Sequence, residues 1–132
     1  MTIKDMPAVG GKKKILIIED NRILQKSLLS SFERAGFEVL QLFGGASALN
    51  IAIKEKPDLI ILDLILPDQD GFHLLKSIKA DENLKNIKVL VLSVIDSESS
   101  INECKMLGAD DYLTKAEHTL DEIVKKVKSY LK

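Results

Sequence analysis

The sequence predicts an α/β fold: a doubly wound, five-stranded parallel sheet in the strand order 2-1-3-4-5, with five helices. Three observations carry this. Three short runs, Ile15–Ile18, Leu59–Leu62 and Val89–Leu92, are rich in branched side chains and unbroken by polar residues. Strands buried on both faces read this way, as in parallel sheets covered by helices. Between the strand candidates lie segments with apolar residues at helical spacing, which implies right-handed crossovers and helices on both sheet faces. Two further strand candidates are partly polar or very short and belong at the edges, and one familiar order puts the second and fifth strands there.

In chain order, Met1–Lys12 reads as a flexible leader, with Pro7, the pair Gly10–Gly11 and no periodicity. One domain spans 13–132. Its first strand is Lys14–Ile18. A helix over Asn21–Ala35 places Leu24, Leu28, Ser31 and Ala35 on one face, with Gly36 as its stop. Phe37–Leu42 alternates in part, which suits an edge strand. Ala46–Glu55 carries Leu49, Ala52 and Ile53 at helical spacing and ends before Pro57. After the strand Leu59–Leu62 comes a helix over Asp70–Ala80, with Leu74, Leu75 and Ile78. After Val89–Leu92 comes a helix over Ser97–Leu107, with Ile101, Cys104 and Leu107, ended by Gly108. Asp111–Leu113 is the short fifth strand. Leu120–Leu131 is the last helix, with Ile123, Val124, Val127 and Leu131, and lysines crowd its C-terminal half in keeping with the helix dipole.

Composition sets limits. A chain of 132 residues is one domain's worth and long enough for a core without disulfides. Nineteen basic and twenty acidic residues leave a net charge of −1, which argues against direct nucleic-acid binding as the main activity. The single cysteine, Cys104, excludes an internal disulfide or a thiolate zinc cage, and its apolar spacing marks it as a small core residue. No apolar run approaches the ~20 residues of a membrane span, and the N-terminus has no signal-peptide core. No membrane partner is expected, and a reducing cytoplasmic setting fits best.

Open α/β sheets bind ligands beyond the carboxyl ends of their strands. Glu19 and Asp20 follow the first strand, Asp63 the third, Ser93 the fourth and, after Thr114, Lys115 the fifth. Taken singly, each has a plainer use: Asp20 as a helix N-cap, Asp63 as a turn residue before Pro67, Ser93 as a loop hydroxyl, Lys115 as a solvated cation. Their arrival on one rim from four strands favours a shared role. Three carboxylates brought together repel one another unless a cation offsets them. Oxygen ligands favour Mg²⁺, with Mn²⁺ or Ca²⁺ as substitutes. A cation with Lys115 and Ser93 around one carboxylate is a site for an incoming phosphoryl group, because charge spreads over its equatorial oxygens during transfer. Asp63, on a central strand, is the nucleophile. Asp20 binds the metal directly, and Glu19 directly or through water.

With these residues in place the chain resembles the receiver domain of two-component response regulators, a flavodoxin-like fold. The resemblance runs from about Lys13 to Lys132. It rests on Ile17-Ile18-Glu19-Asp20-Asn21, on Leu62 to Gly71 with its Asp-x-x-x-Pro-x-x-Asp-Gly pattern, on Val91-Leu92-Ser93, and on Gly108 to Lys115. It implies that Asp63 takes a phosphoryl group from a histidine kinase, a histidine phosphotransfer protein or a small phosphodonor. It implies Mg²⁺ held by Glu19, Asp20 and Asp63, with the backbone carbonyl of Ile65 as a further ligand. Ser93 and Lys115 would engage the phosphate. Ser93 and Tyr112 would form the switch: the hydroxyl is drawn to the phosphate, Tyr112 rotates inward, and the surface of the fourth helix, fifth strand and fifth helix changes for a downstream partner.

Two departures from that family's pattern stand out. Ala116 follows Lys115 where proline is usual, and the familiar cis peptide would cost about 2.5–4 kcal/mol before alanine. Ile65 and Ile95, each two residues beyond a site residue, are aliphatic and poor at orienting an attacking water, so loss of the phosphoryl group should be slow. His73 and His118 have no metal-ligand spacing, and Lys125, Lys126 and Lys128 read as a solvated helix end.

The expected function is therefore a phosphoacceptor switch, stand-alone or excised, without an output domain. It is not an enzyme beyond promoting its own phosphorylation and slow dephosphorylation. The alternatives are an aspartyl-phosphate phosphotransferase or phosphatase, a nucleotide-binding module and an unphosphorylated scaffold. Ile65 breaks the Asp-x-Asp motif of the first, Glu19-Asp20-Asn21 replaces the glycine-rich loop of the second, and the complete site argues against the third.

Overall fold

The computed structural model describes residues 11–132, so most of the expected leader lies outside the described residues. Five strands alternate with five helices: β1 Lys14–Ile18, α1 Arg22–Arg34, β2 Glu38–Leu42, α2 Ala48–Glu55, β3 Leu59–Leu62, α3 Gly71–Ala80, β4 Lys88–Ser93, α4 Glu98–Met106, β5 Asp111–Thr114 and α5 Leu120–Tyr130. All strand pairings are parallel, and the order is β2-β1-β3-β4-β5, as the sequence predicts.

The period of two along each strand divides the core. Leu16, Ile18, Ile60, Leu62, Val89, Val91 and Tyr112 pack with Ala48 and Ala52 of α2, Leu74, Leu75 and Ile78 of α3, and Cys104 of α4. Ile15, Ile17, Leu59, Ile61, Leu90, Leu92 and Leu113 pack with Leu28 and Phe32 of α1 and with Ile123, Val124 and Val127 of α5. The unbroken strands are unbroken because both faces are covered.

Several local expectations shift. Asn21, not Asp20, caps α1: its side chain accepts from Leu24 N at 2.9 Å. Asp20 is left exposed and free for other work. The buried residues of α1 are Gln25, Leu28 and Phe32. Leu24, Leu28 and Ala35 of the expected stripe do pack on this core, but its fully buried line runs through Gln25, Leu28 and Phe32. α2 starts at Ala48, later than Ala46, since Gly45 and Ala46 donate their amides to Asp68 across the sheet edge at 2.9 and 2.8 Å. Lys56 ends α2 in the left-handed region, with φ 48°. Asp70 caps α3, and Thr119 and Glu122 form a reciprocal capping box on α5.

Candidate functional site

The rim at the carboxyl ends of β1, β3, β4 and β5 collects every residue that the sequence places there. Glu19 and Asp63 are buried, with 2% and 3% exposure, whereas Asp20 is open to solvent. One carboxylate oxygen from each of Glu19, Asp20 and Asp63 lies within 4.8 Å of the other two. The Lys115 ammonium enters from the end of β5, 2.6 Å from Glu19 Oε1 and 3.1 Å from Asp63 Oδ2. Ser93, fully buried, ends β4 and accepts from Ile95 N at 3.2 Å.

Local folding explains each position. β3 ends at Leu62, and Asp63 N still donates to Ile18 O at 3.0 Å, which holds the aspartate against β1. Its Oδ1 accepts from Ile65 N at 3.2 Å. The chain then turns back on itself: Ile65 bridges Asp70, and Gly71 N donates to Leu64 O at 3.0 Å. Gly71 is required here, because a Cβ would stand 2.4 Å from Leu64 Cα. Glu19 N donates to Leu42 O at 3.0 Å and Glu19 Oε2 accepts from Asn21 N at 2.9 Å, which turns the glutamate into the pocket.

Electrostatics follow from burial and pairing. Burial pushes the Glu19 carboxyl above its usual pKa; Lys115 and the Asn21 amide oppose this without cancelling it. Burial alone would lower the pKa of Lys115, but the Glu19 and Asp63 carboxylates outweigh it and hold the ammonium above its ordinary value. The lysine stays charged at physiological pH.

The donor set fits a hard divalent cation. Every candidate ligand is oxygen, Asp20 leaves the pocket open for water, and buried Glu19 Oε1 has the Lys115 ammonium as its polar partner. Three carboxylates with oxygens within 4.8 Å of one another carry more negative charge than one ammonium offsets, and a divalent cation would offset the remainder.

Tyr112 is already buried, at 8% exposure, and its hydroxyl donates to Ile95 O at 2.6 Å. Ile65 is 52% exposed at the mouth of the site, and Ile95 is half-buried. No peptide bond among the described residues is cis, and Lys115–Glu117 form one turn of 3₁₀ helix. His73 is exposed, and His118 Nδ1 lies 2.9 Å from Thr114 O, away from any metal cluster.

Sequence reading missed two residues. Gln25, in α1, is buried among backbone carbonyls at the ends of β1 and β2. Asp68 ties the β3–α3 loop to the β2–α2 loop. A polar residue one turn before Leu28 was the available signal for Gln25; nothing local marks Asp68.

Comparison with known proteins agrees with this geometry. The family model for the response regulator receiver domain matches residues 15–128. The chain is 36% identical over 119 residues to the sporulation initiation phosphotransferase F of Bacillus subtilis (strain 168), covering 90% of this chain and 94% of that one. It resembles the receiver domain of a Francisella response regulator, at 31% identity and a TM-score of 0.83, over 90% of this chain and 96% of that one. It also resembles a response regulator solved in its Mn(2+)-bound form, at 29% identity and a TM-score of 0.79, over 90% and 94% of the two chains.

Proposed function

The chain belongs to the response regulator receiver domain family, and we propose that it works as a phosphoacceptor switch with Asp63 as the acceptor. One observation carries this reading. The buried Asp63 carboxylate stands within 4.8 Å of the ligand oxygens of Glu19 and Asp20 and 3.1 Å from the Lys115 ammonium. A carboxylate so placed, beside an ammonium and two further carboxylates that could hold a cation, can act as a nucleophile toward an electrophilic phosphorus.

An Asp63 oxygen attacks the phosphorus of a phosphohistidine or small acyl phosphate donor. A P–O bond forms as the donor's P–N or P–O bond breaks, and the electron pair leaves with the donor. Glu19, Asp20, Asp63 and the Ile65 carbonyl would hold Mg²⁺, for which Mn²⁺ or Ca²⁺ could substitute, and the ion would neutralise charge on the transferring group. A response regulator of 29% identity solved in its Mn(2+)-bound form supports a divalent cation as the bound species. Lys115 exchanges its contact with Asp63 for one with a phosphate oxygen, and Ser93 donates its hydroxyl to another. The chain promotes its own phosphorylation and slow dephosphorylation but does not turn over a separate substrate.

The partners are a histidine kinase or histidine phosphotransfer protein upstream and, downstream, a protein that reads the face of α4, β5 and α5. No helix of the described residues is long and apolar enough to cross a membrane. A buried free thiol at Cys104 suits a reducing cytoplasm.

Incubation with acetyl phosphate and Mg²⁺ followed by intact mass tests the proposal. The wild type gains one phosphoryl group and Asp63→Asn gains none. A phosphoryl group on the Asp63→Asn protein would overturn it.

A further inference from the structure

We propose that Gln25 is a positioning residue for the metal pocket, holding Glu19 in place through the backbone. This rests on the reading of Glu19 as a metal ligand. Gln25 is 1% exposed. Its Nε2 lies within hydrogen-bond distance of three carbonyl oxygens, Ile17 O at 3.1 Å, Glu19 O at 3.1 Å and Leu42 O at 2.9 Å, which share its two N–H groups. These lie at the carboxyl ends of β1 and β2, where the chain leaves the sheet for the site. Leu42 O also accepts from Glu19 N at 3.0 Å, so Gln25 and Glu19 share one anchor on the neighbouring strand.

The orientation of the Gln25 amide is forced. Reversed, its oxygen would face three carbonyl oxygens with no hydrogen between them. Gln41 supplies the complement: its Nε2 donates to Gln25 Oε1 at 2.7 Å and to Gln25 O at 2.8 Å. Every polar atom of the Gln25 side chain is thereby used. Leu28 and Phe32, the other buried residues of α1, are apolar and fill the core with no such cost of satisfaction. A core position needs no amide for packing alone. What the amide adds is a fixed backbone beneath Glu19, whose carboxylate meets Asp20 and Asp63 only if that backbone stays in place.

The test separates metal affinity from stability. Mg²⁺ binding is measured by calorimetry, and thermal melting is followed without metal, for the wild type, Gln25→Met, Gln41→Met and Leu28→Ala. Gln25→Met keeps the volume and removes the donors. It should weaken Mg²⁺ binding by about 10–100-fold, the usual effect of losing a group that orients a ligand. Leu28→Ala, on the same buried stripe but without a bond to the site, should lower the melting temperature and leave Mg²⁺ affinity unchanged. Gln41→Met, which removes the bonds donated to Gln25 Oε1 and Gln25 O but leaves the Gln25 donors in place, should shift affinity in the same direction by less, and serves alone if Gln25→Met does not fold. Affinity within twofold of wild type in Gln25→Met, or in Gln41→Met where that variant stands alone, overturns the proposal. So does an equal loss of affinity in Leu28→Ala. Wild-type protein that binds no Mg²⁺ would instead overturn the metal-site reading on which the proposal rests.

Discussion

Lys115 Nζ sits 2.6 Å from Glu19 Oε1, closer than its 3.1 Å from Asp63 Oδ2. The ammonium therefore occupies the pocket shared by a metal-ligand candidate and the phosphoacceptor candidate. It pairs with two buried carboxylates at once, and a divalent cation must compete with it for Glu19. Lys115 then has two opposed effects: it stabilises the metal-free fold and weakens metal binding.

Replacing it separates them. Lys115→Met leaves Glu19 and Asp63 buried without their cation, and should cost about 3 kcal/mol of stability in the absence of metal. Mg²⁺ should then bind more tightly, and the rise in melting temperature on adding Mg²⁺ should exceed that of the wild type. Phosphoryl transfer to Asp63 should fall sharply, because the donor for a phosphate oxygen is gone. Urea unfolding with and without Mg²⁺ checks the first two effects, and intact mass after acetyl phosphate checks the third. Unchanged Mg²⁺ affinity in this variant would show that the lysine and the metal do not share Glu19.

The turn after Asp63 makes a second demand. A Cβ on residue 71 would lie 2.4 Å from Leu64 Cα and 2.6 Å from Leu64 O, both backbone atoms with nowhere to retreat. Gly71→Ala must displace the loop that carries Ile65. The expected cost is about 1–3 kcal/mol, as for overpacked interiors. Urea unfolding measures it, and the rate of Asp63 phosphorylation should fall in the same variant.

Much of this was legible in the sequence, for identifiable reasons. Ile15–Ile18, Leu59–Leu62 and Val89–Leu92 announced central strands because burial on both faces leaves no polar position. Glu19, Asp20, Asp63, Ser93 and Lys115 could be assembled because strand ends in a parallel sheet share one edge. What stayed hidden is tertiary. Gln25 broke the apolar stripe of α1, so the fully buried line through Gln25, Leu28 and Phe32 was not read. Ala46 looked helical by spacing, but its amide is claimed by Asp68, 22 residues on. The burial of Tyr112 depends on the Ile95 carbonyl of another loop, which no local pattern reveals.

That contact gives a third prediction. Tyr112→Phe removes the 2.6 Å bond to Ile95 O but keeps the ring. The β4–α4 loop then loses its tether to β5. Stability should fall by about 1 kcal/mol, and amide exchange should quicken over 94–97. Phosphorylation of Asp63 should proceed as in the wild type, since the hydroxyl does not reach the acceptor. Exchange measured by mass spectrometry, with and without acetyl phosphate, reads both.

Phosphoryl lifetime at Asp63 should depend on two isoleucines. Ile65, at the mouth, and Ile95, half-buried in the β4–α4 loop, offer no group to orient a water for attack on the acyl phosphate. Hydrolysis should be slow in the wild type and faster in Ile65→Asn, whose amide can hold a water near the phosphorus. The decay of phosphorylated protein after removal of acetyl phosphate measures this. Rapid decay in the wild type, unaltered in Ile65→Asn, would assign the lifetime to other residues.

Alkaline pH should destabilise the protein through the buried Cys104 thiol and the half-buried Tyr130 phenol. Burial, and secondarily the Glu103 charge, pushes the Cys104 thiol from 9.0 to about 11. Burial, reinforced by the bond from its hydroxyl to Asp111 Oδ2 at 2.9 Å, pushes Tyr130 from 10.0 to about 12. In both cases the fold favours the protonated form. Between the unfolded and folded values the native state binds more protons than the unfolded state, so stability falls as pH rises. It should be flat with respect to these groups below about pH 9, decline first through Cys104 and then, above about pH 10, through Tyr130. Urea unfolding at pH 8, 10 and 11 shows the slope. Cys104→Ala should remove the earlier part of the decline. Tyr130→Phe should be less stable at pH 8, by about 1 kcal/mol for its lost hydrogen bonds, yet lose less than the wild type on going to pH 11. Parallel pH profiles for the wild type and both variants would mean that other groups, the lysines first among them, set the alkaline limit.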